Sequence, residues 1–483
     1  MDNRTLSQFH TFFFGSIIYS FIYTFFLYKN SSGITYPFFV GGTCLFFFLC
    51  LKKLGITAKK DSIFYVISLL LLGLSTCLTT SVPIIAFNKI GIFLLMFCLM
   101  LHNFFEDAAW SFEKYTSSIA RLIVTCIPLL ASPFQDLAAD LKSRSSLEKK
   151  EDSKIKYVVY GLLIACPLAL LVLALLSSAD QMFRNLLQHM FRWLNFFDNF
   201  SEVFGIFFTF CFAFFACYCL IENLRRHRIN PETTDKRIWD PVIAITFTSL
   251  ISIIYLTFSL IQIIFLFLRN MQLPAGYTYA SYARQGFFQL LFVCMLNLVM
   301  VLYCLARFRP NLILKILLTI ISFCTFIMIL SSALRMLLYI QTYDLTFLRF
   351  LVLWALIVIF LLMIGVVILI YAEKFPLFKY TLLTVTCLYL LLSFLHPDYW
   401  IAKYNYQIKN QEIDGYYLYH ELSFDAAPIL LDVDSDSSEQ DRSIFLQTIK
   451  EQYILDIEQK YDDMSLRQFN FSLFIAHVCA LKS

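Results

Sequence analysis

Long apolar runs recur along almost the whole of this chain. Each is close to the roughly 20 residues an α-helix needs to cross a bilayer core. They lie at 9–27, 34–51, 62–78, from between 84 and 90 to near 105, then 158–177, 203–221, 242–268, 286–305, 312–331, 350–371 and 378–395, eleven in all. The expected fold is an all-α integral membrane protein with about eleven transmembrane helices and a small α-helical extracytoplasmic C-terminal domain. Composition agrees: 59% of residues are apolar and only 15% charged, where a soluble domain is nearer a quarter charged. The same balance excludes a disordered or fibrous chain. A net charge of +4 with no concentrated basic region excludes a nucleic-acid binder.

Lysine and arginine set the expected sidedness. With eleven spans, the N-terminus and the even-numbered links carry 23 of them, and the opposite links carry 8: Lys29, Lys89, Arg184, Arg192, Arg269, Arg284, Arg335 and Arg349. The N-terminus is therefore expected in the cytoplasm and the tail outside, in a cell membrane. The first run is followed by Tyr28-Lys29-Asn30 and no small-x-small cleavage site, so it reads as an uncleaved span. Residues 116–134 are moderately apolar but contain Arg121, Pro128 and Pro133. Counting them as a span would reduce the charge asymmetry to 18 against 13. They are read as part of an amphipathic cytoplasmic connector, about 106–157, within a membrane domain spanning 1–395.

The tail, 396–483, is different material: 15 acidic against 7 basic side chains in 88 residues. Ser438 and Asp441 have capping-box spacing. Ile449, Tyr453, Ile457 and Tyr461 recur every four residues as one apolar stripe, and a second short helix is expected in 466–481. The bilayer is the expected partner throughout, and the tail would meet an extracytoplasmic protein or envelope component.

Five strings form a further pattern: Gly161 to Pro167 continuing through Asp180 and Phe183; Tyr277 to Phe287; Ser332 to Arg335 with Tyr339, Tyr343, Leu345 and Thr346; His396 to Asn405; and Leu422 to Pro428. Over roughly 60–480 the chain resembles the bacterial membrane-protein family known as domain of unknown function 4173. That family tends to have Asn-Pro-Asp where this chain has His396-Pro397-Asp398. The resemblance implies a bacterial cell membrane protein and carries over no catalytic residue.

Two candidate sites follow from topology. The polar strings all fall on the outer side, where Arg284 and Arg335 could pair with Asp180, Asp344 or Asp398 beside Tyr279 and Tyr282. Such a cluster suits an anionic or lipid-linked ligand; the plainer reading is an interfacial aromatic belt with ordinary ion pairs. Within the seventh run, Thr248, Ser252, Tyr255, Ser259 and Gln262 share one helix face, and Asn297 lies in the eighth. This stripe is either a hydrated cavity or interhelical hydrogen bonding. No carboxylate lies mid-span, as a proton- or ion-coupled carrier would usually require.

The 14 cysteines form no CxxC pair and sit mostly in apolar runs, so they are expected to pack as small apolar side chains. His102 and Glu106 are four apart but show no third ligand. Asp432, Asp434 and Asp436 begin like a calcium loop, yet Ser437 and Ser443 replace its glycine and closing glutamate. No cofactor and no catalytic motif is read. Three functions remain: an envelope scaffold or binding protein with an outward polar site, a transporter or flippase, or an enzyme acting on a lipid-linked substrate. The last is weakened because the first outer loop, 28–33, lacks a carboxylate.

Overall fold

The computed structural model describes residues 3–30, 32–107, 110–145, 200–226, 237–264, 287–408, 415–432 and 440–482, with the single positions 172, 176, 182 and 183. The principal helices are α1 (Asn3–Leu27), α2 (Thr35–Leu54), α3 (Ser62–Leu78), α4 (Val82–Phe104), α5 (Phe112–Val124), α6 (Ser132–Ser145), α7 (Phe200–Arg225), α8 (Pro241–Gln262), α9 (Phe287–Arg307), α10 (Leu312–Tyr343), α11 (Phe347–Tyr371), α12 (Leu377–Phe394), α13 (Pro397–Lys403), α14 (Gln440–Asp462) and α15 (Phe471–Ala480). Among the described residues no strand forms, only one isolated bridge between Trp239 and Phe308.

Nine of these helices (α1, α2, α4 and α7 to α12) are long and apolar enough to cross a membrane. The protein is a multi-pass, all-α membrane protein. Of the eleven expected spans, α3 is a helix of 17 residues, and the run at 158–177 lies outside the described residues except for positions 172 and 176. The connector is helical but bent: α5 and the following turn meet α6 at 53°. Pro128 removes a backbone donor at the break. Beside the break, Asn223 Nδ2 donates to the Leu122 carbonyl at 2.9 Å.

The chain forms two compact units. The first comprises Met1–Ser31, Phe38–Ala58 and Ser118–Asn230. Its α1 and α7 pack together, and Phe9, Phe12 and Tyr218 share a buried cluster with Cys50 of α2. Two carboxylates four residues apart on α6 tie it to these helices: Asp136 accepts Tyr218 Oη at 2.8 Å, and Asp140 meets His10 Nε2 at 3.1 Å.

The second unit comprises Ser32–Pro37, Lys59–Ser117 and Pro231–Ser483. Here α8, α9 and α11 pack around α10, while α12 joins α11 to α3 and α4. Gly365 lets α12 approach α11 closely, since a Cβ there would stand 2.4 Å from the Tyr380 ring. At one end of these helices, acids receive basic partners: Glu373 takes Arg237 and Lys315, Glu113 takes Arg307, and Asp61 takes Lys379. At the other end lie 79–81, 343–347 and the tail.

The tail does not stand apart from the membrane helices in packing. One buried cluster joins Met328, Met336, Ile340, Val352 and Leu356 to Ile401, Leu418, Leu430 and the α14 stripe of Ile449, Tyr453 and Ile457. Its last turn meets 32–37, where Ile34 N donates to Phe469 O at 2.8 Å. Gly33 has φ +130° there, and a Cβ would stand 2.7 Å from the Gln468 backbone, so only glycine allows the approach.

Candidate functional site

Asp425 sits in the short turn Phe424–Ala426 and has almost no exposed surface. Its Oδ1 accepts Thr80 N at 2.7 Å, Thr80 Oγ1 at 2.8 Å and Ser472 Oγ at 2.6 Å. Its Oδ2 accepts Thr79 Oγ1 at 2.5 Å and meets His396 Nδ1 at 2.9 Å. One carboxylate thus gathers the α3–α4 link, the end of α12 and the start of α15. Asn470 completes the join, donating to Thr79 O at 2.8 Å while capping α15.

His396 reaches this position through a left-handed backbone with φ 51°, a conformation to which histidine is among the better suited side chains. Asp398, two residues on, is buried and accepts Ser423 Oγ at 2.6 Å. Burial alone would raise the Asp425 pKa, but its donors outweigh that and hold it below the usual carboxylate range. Asp398 is pushed up, by burial first and then by the nearby Asp425 charge. The hydrogen bond to Asp425 raises His396. With Nδ1 engaged by a carboxylate, the chemistry of this imidazole passes to Nε2, which accepts when neutral and donates when protonated. About 32% of the His396 side chain is exposed.

The residues expected in the outer-face cluster occupy separate settings. Asp180, Tyr279, Tyr282 and Arg284 lie outside the described residues. Asp344 ends α10 at φ 74°, and its carbonyl accepts the Arg349 guanidinium, which lies 4.3 Å from the centre of the Tyr339 ring. Asp398 belongs to the Asp425 centre. Arg335 lies in the interior of the helix bundle, where its Nη2 donates to Gln262 Oε1 at 3.1 Å.

The α8 stripe faces protein. Thr248, Ser252, Ser259 and Gln262 are buried, whereas Ile253, Ile254, Leu256, Leu260 and Ile261 between them are exposed. That is the arrangement hydrocarbon demands, polar side chains inward and aliphatic ones outward. Tyr255 donates to Asn297 Oδ1 at 2.7 Å, and Asn297 Nδ2 to Thr325 Oγ1 at 2.9 Å. Ser331 Oγ donates to Gln262 Oε1 at 2.7 Å.

At the opposite end of the second unit, His102 pairs with Asp107 at 2.7 Å, while Glu106 is 91% exposed and lies 3.8 Å from Lys59 Nζ. Tyr115 also donates to Asp107, and Lys59 lies 3.5 Å from it. Burial opposes ionisation of Asp107, but these partners hold its pKa down to about 2. This is a structural knot joining α3, α4 and α5. Among the described residues no three His, Cys, Asp or Glu side chains could hold a metal. The acidic run after Asp432 lies outside them.

Sequence reasoning quoted His396, Asp398, Ser423 and Asp425 within two strings but did not join them. It missed Thr79, Thr80 and Ser472 altogether, whose hydroxyls carry no signal in an apolar chain.

Residues 66–433, about three quarters of the chain, match the family described as Domain of unknown function (DUF4153). The chain belongs to this family. The match corrects the resemblance to domain of unknown function 4173, which is a different family. Five short aromatic and polar strings in an apolar chain describe membrane interfaces generally and do not separate one such family from another. No curated protein and no solved structure matches the chain. The two strings that build the Asp425 centre, 396–405 and 422–428, both lie inside the matched region.

Proposed function

We propose that this family member is a bacterial cell-membrane binding protein that presents a polar site on its extracytoplasmic face, with the tail packed as part of that face. The carrying observation is the His396 imidazole. Its Nδ1 is held by a buried carboxylate, and about 32% of its side chain is exposed. Sidedness rests on charge: Lys59, Arg237, Arg307, Lys315 and Lys379 cluster at the end of the helices away from His396, as cytoplasmic ends do. The exposed ring of Trp400, with Lys403 above it, adds an interfacial surface suited to an envelope component.

The test compares cells lacking the protein with cells carrying His396→Gln, which can still hydrogen-bond Asp425 but offers no imidazole. Membrane abundance and melting temperature should stay near wild type, while the variant reproduces the envelope-stress phenotype of the deletion. A folded His396→Gln protein that fully restores wild-type behaviour would contradict the proposal.

A further inference from the structure

The break between α5 and α6 carries its own hydrogen-bond partners. A break in water leaves carbonyls to solvent, whereas hydrocarbon offers them nothing, so freed groups there need partners within the protein. Leu129 O accepts both Ser132 Oγ at 2.7 Å and Cys219 Sγ at 3.3 Å, and Leu122 O accepts Asn223 Nδ2 at 2.9 Å. Thr125 Oγ1 donates to Arg121 O at 2.6 Å. Within the turn, Cys126 N donates to Ile123 O, Leu129 N to Cys126 O and Leu130 N to Ile127 O. Cys219 and Asn223 are side chains of α7. The surface of this break is apolar. From 122 to 134 every exposed residue is apolar, the large ones being Ile123, Val124, Ile127, Leu130 and Phe134. The acids of α6 are buried on α7 and α1, as Asp136 with Tyr218 and Asp140 with His10.

Depth follows from the partners. Tyr28 Oη, just beyond the end of α1, donates to Glu202 O at the start of α7, so these helices run antiparallel and the start of α1 is level with the end of α7. The segment arrives beside Asn223 and leaves beside His10, both at this one end. Between them, Leu129 meets Cys219, and the Phe134 ring lies 5.8 Å from that of Phe215. Cys219 and Phe215 stand about 9 and 15 Å along α7 from Arg225. Half of a bilayer core is also about 15 Å.

We propose that residues 121–140 are a re-entrant element whose apex, 127–134, is sunk in the hydrocarbon of one leaflet, with lipid acyl chains packed on Ile127, Leu130 and Phe134. It enters and leaves at one face and is therefore not a span. An amphipathic helix lying flat on the interface would stay level with one turn of α7. This segment instead moves from Asn223 to Phe215. Its apolar surface continues that of α7, where Phe208 and Phe212 are 56% and 58% exposed, as on a lipid-facing helix. The inference does not depend on the His396 site.

The test uses full-length protein in nanodiscs, with a nitroxide-bearing unnatural amino acid in place of Leu130 so that the native cysteines stay unlabelled. Electron paramagnetic resonance then compares collisions with oxygen, which concentrates in hydrocarbon, and with a water-soluble nickel chelate. Oxygen accessibility at Leu130 should exceed nickel accessibility several-fold, as at Phe212, and the order should reverse at the exposed Lys52 that ends α2. Should the Leu130 variant fail to fold, the label at Ile127 or Phe134 should give the same reading. Nickel-dominated collisions at the apex would put the segment in water and overturn the proposal. Shielding from both reagents would also overturn it, since protein would then cover the patch. So would equal ratios at Ile123 and Leu130, the signature of a flat interfacial helix.

Discussion

Asp425→Asn is expected to lower unfolding free energy by roughly 3–5 kcal/mol, the range for removing one charge from a buried, hydrogen-bonded ionic centre. The carboxylate accepts from five donors and its side chain is essentially unexposed, so solvent screening does not reduce the effect. An asparagine offers one acceptor oxygen and turns an NH2 group toward donors. Hydroxyls can rotate to accept from it, but the Thr80 N–H cannot. The measurement is the denaturation midpoint of the full-length protein in one detergent. A midpoint within experimental error of wild type would show that the centre does not hold the tail.

The loss should also change the pH profile. Asp425 is depressed in the folded state, so its stabilisation is present above the unfolded pKa of about 3.9 and disappears as pH falls through the folded value. His396 is raised, so its contribution is full below about 6.5 and disappears as pH climbs through the folded value. Asp398, also raised, favours the fold at low pH and loses that contribution as pH rises. The Asp425–His396 pair therefore stabilises most between the two limits, and Asp425→Asn should flatten that maximum.

Asn405→Leu should cost roughly 2–4 kcal/mol, from two buried backbone groups losing their partners at ~1–3 kcal/mol each. Asn405 is buried and clamps Leu345 from both sides: Leu345 N donates to its Oδ1, and its Nδ2 donates to Leu345 O, each at 2.8 Å. Leu345 follows the left-handed Asp344 that ends α10. Without the clamp, the α10–α11 turn loses its tie to the tail. Asn405→Asp keeps the acceptor and loses the donor, and should fall between. A Leu variant as stable as wild type would remove the clamp from the account.

The membrane helices were legible because long apolar runs leave little choice of structure. The α14 stripe was legible because Ile449, Tyr453 and Ile457 repeat at helical spacing, and all three are buried. The α8 stripe was visible for the same reason. Less legible was the extent of α10. The apolar run stops at Ser331, yet the helix continues to Tyr343 because Gln262 gives Arg335 a polar partner inside. The Asp425 centre was not legible. Thr79 and Asp425 are 346 residues apart, and only the packing of α3 against α12 and α15 brings them together. His102 shows the same limit on a smaller scale: helical spacing favoured Glu106, and the chain reversal after α4 gave it Asp107 instead.

An envelope-facing role for His396 requires the Asp425–His396 face to lie outside the cell. Alkaline phosphatase and a fluorescent protein, each fused after Ser483, report this directly. The expected result is an active phosphatase and a dark fluorescent protein at equal expression. A fluorescent fusion with an inactive phosphatase would place the tail and its histidine in the cytoplasm and contradict the proposed extracytoplasmic site.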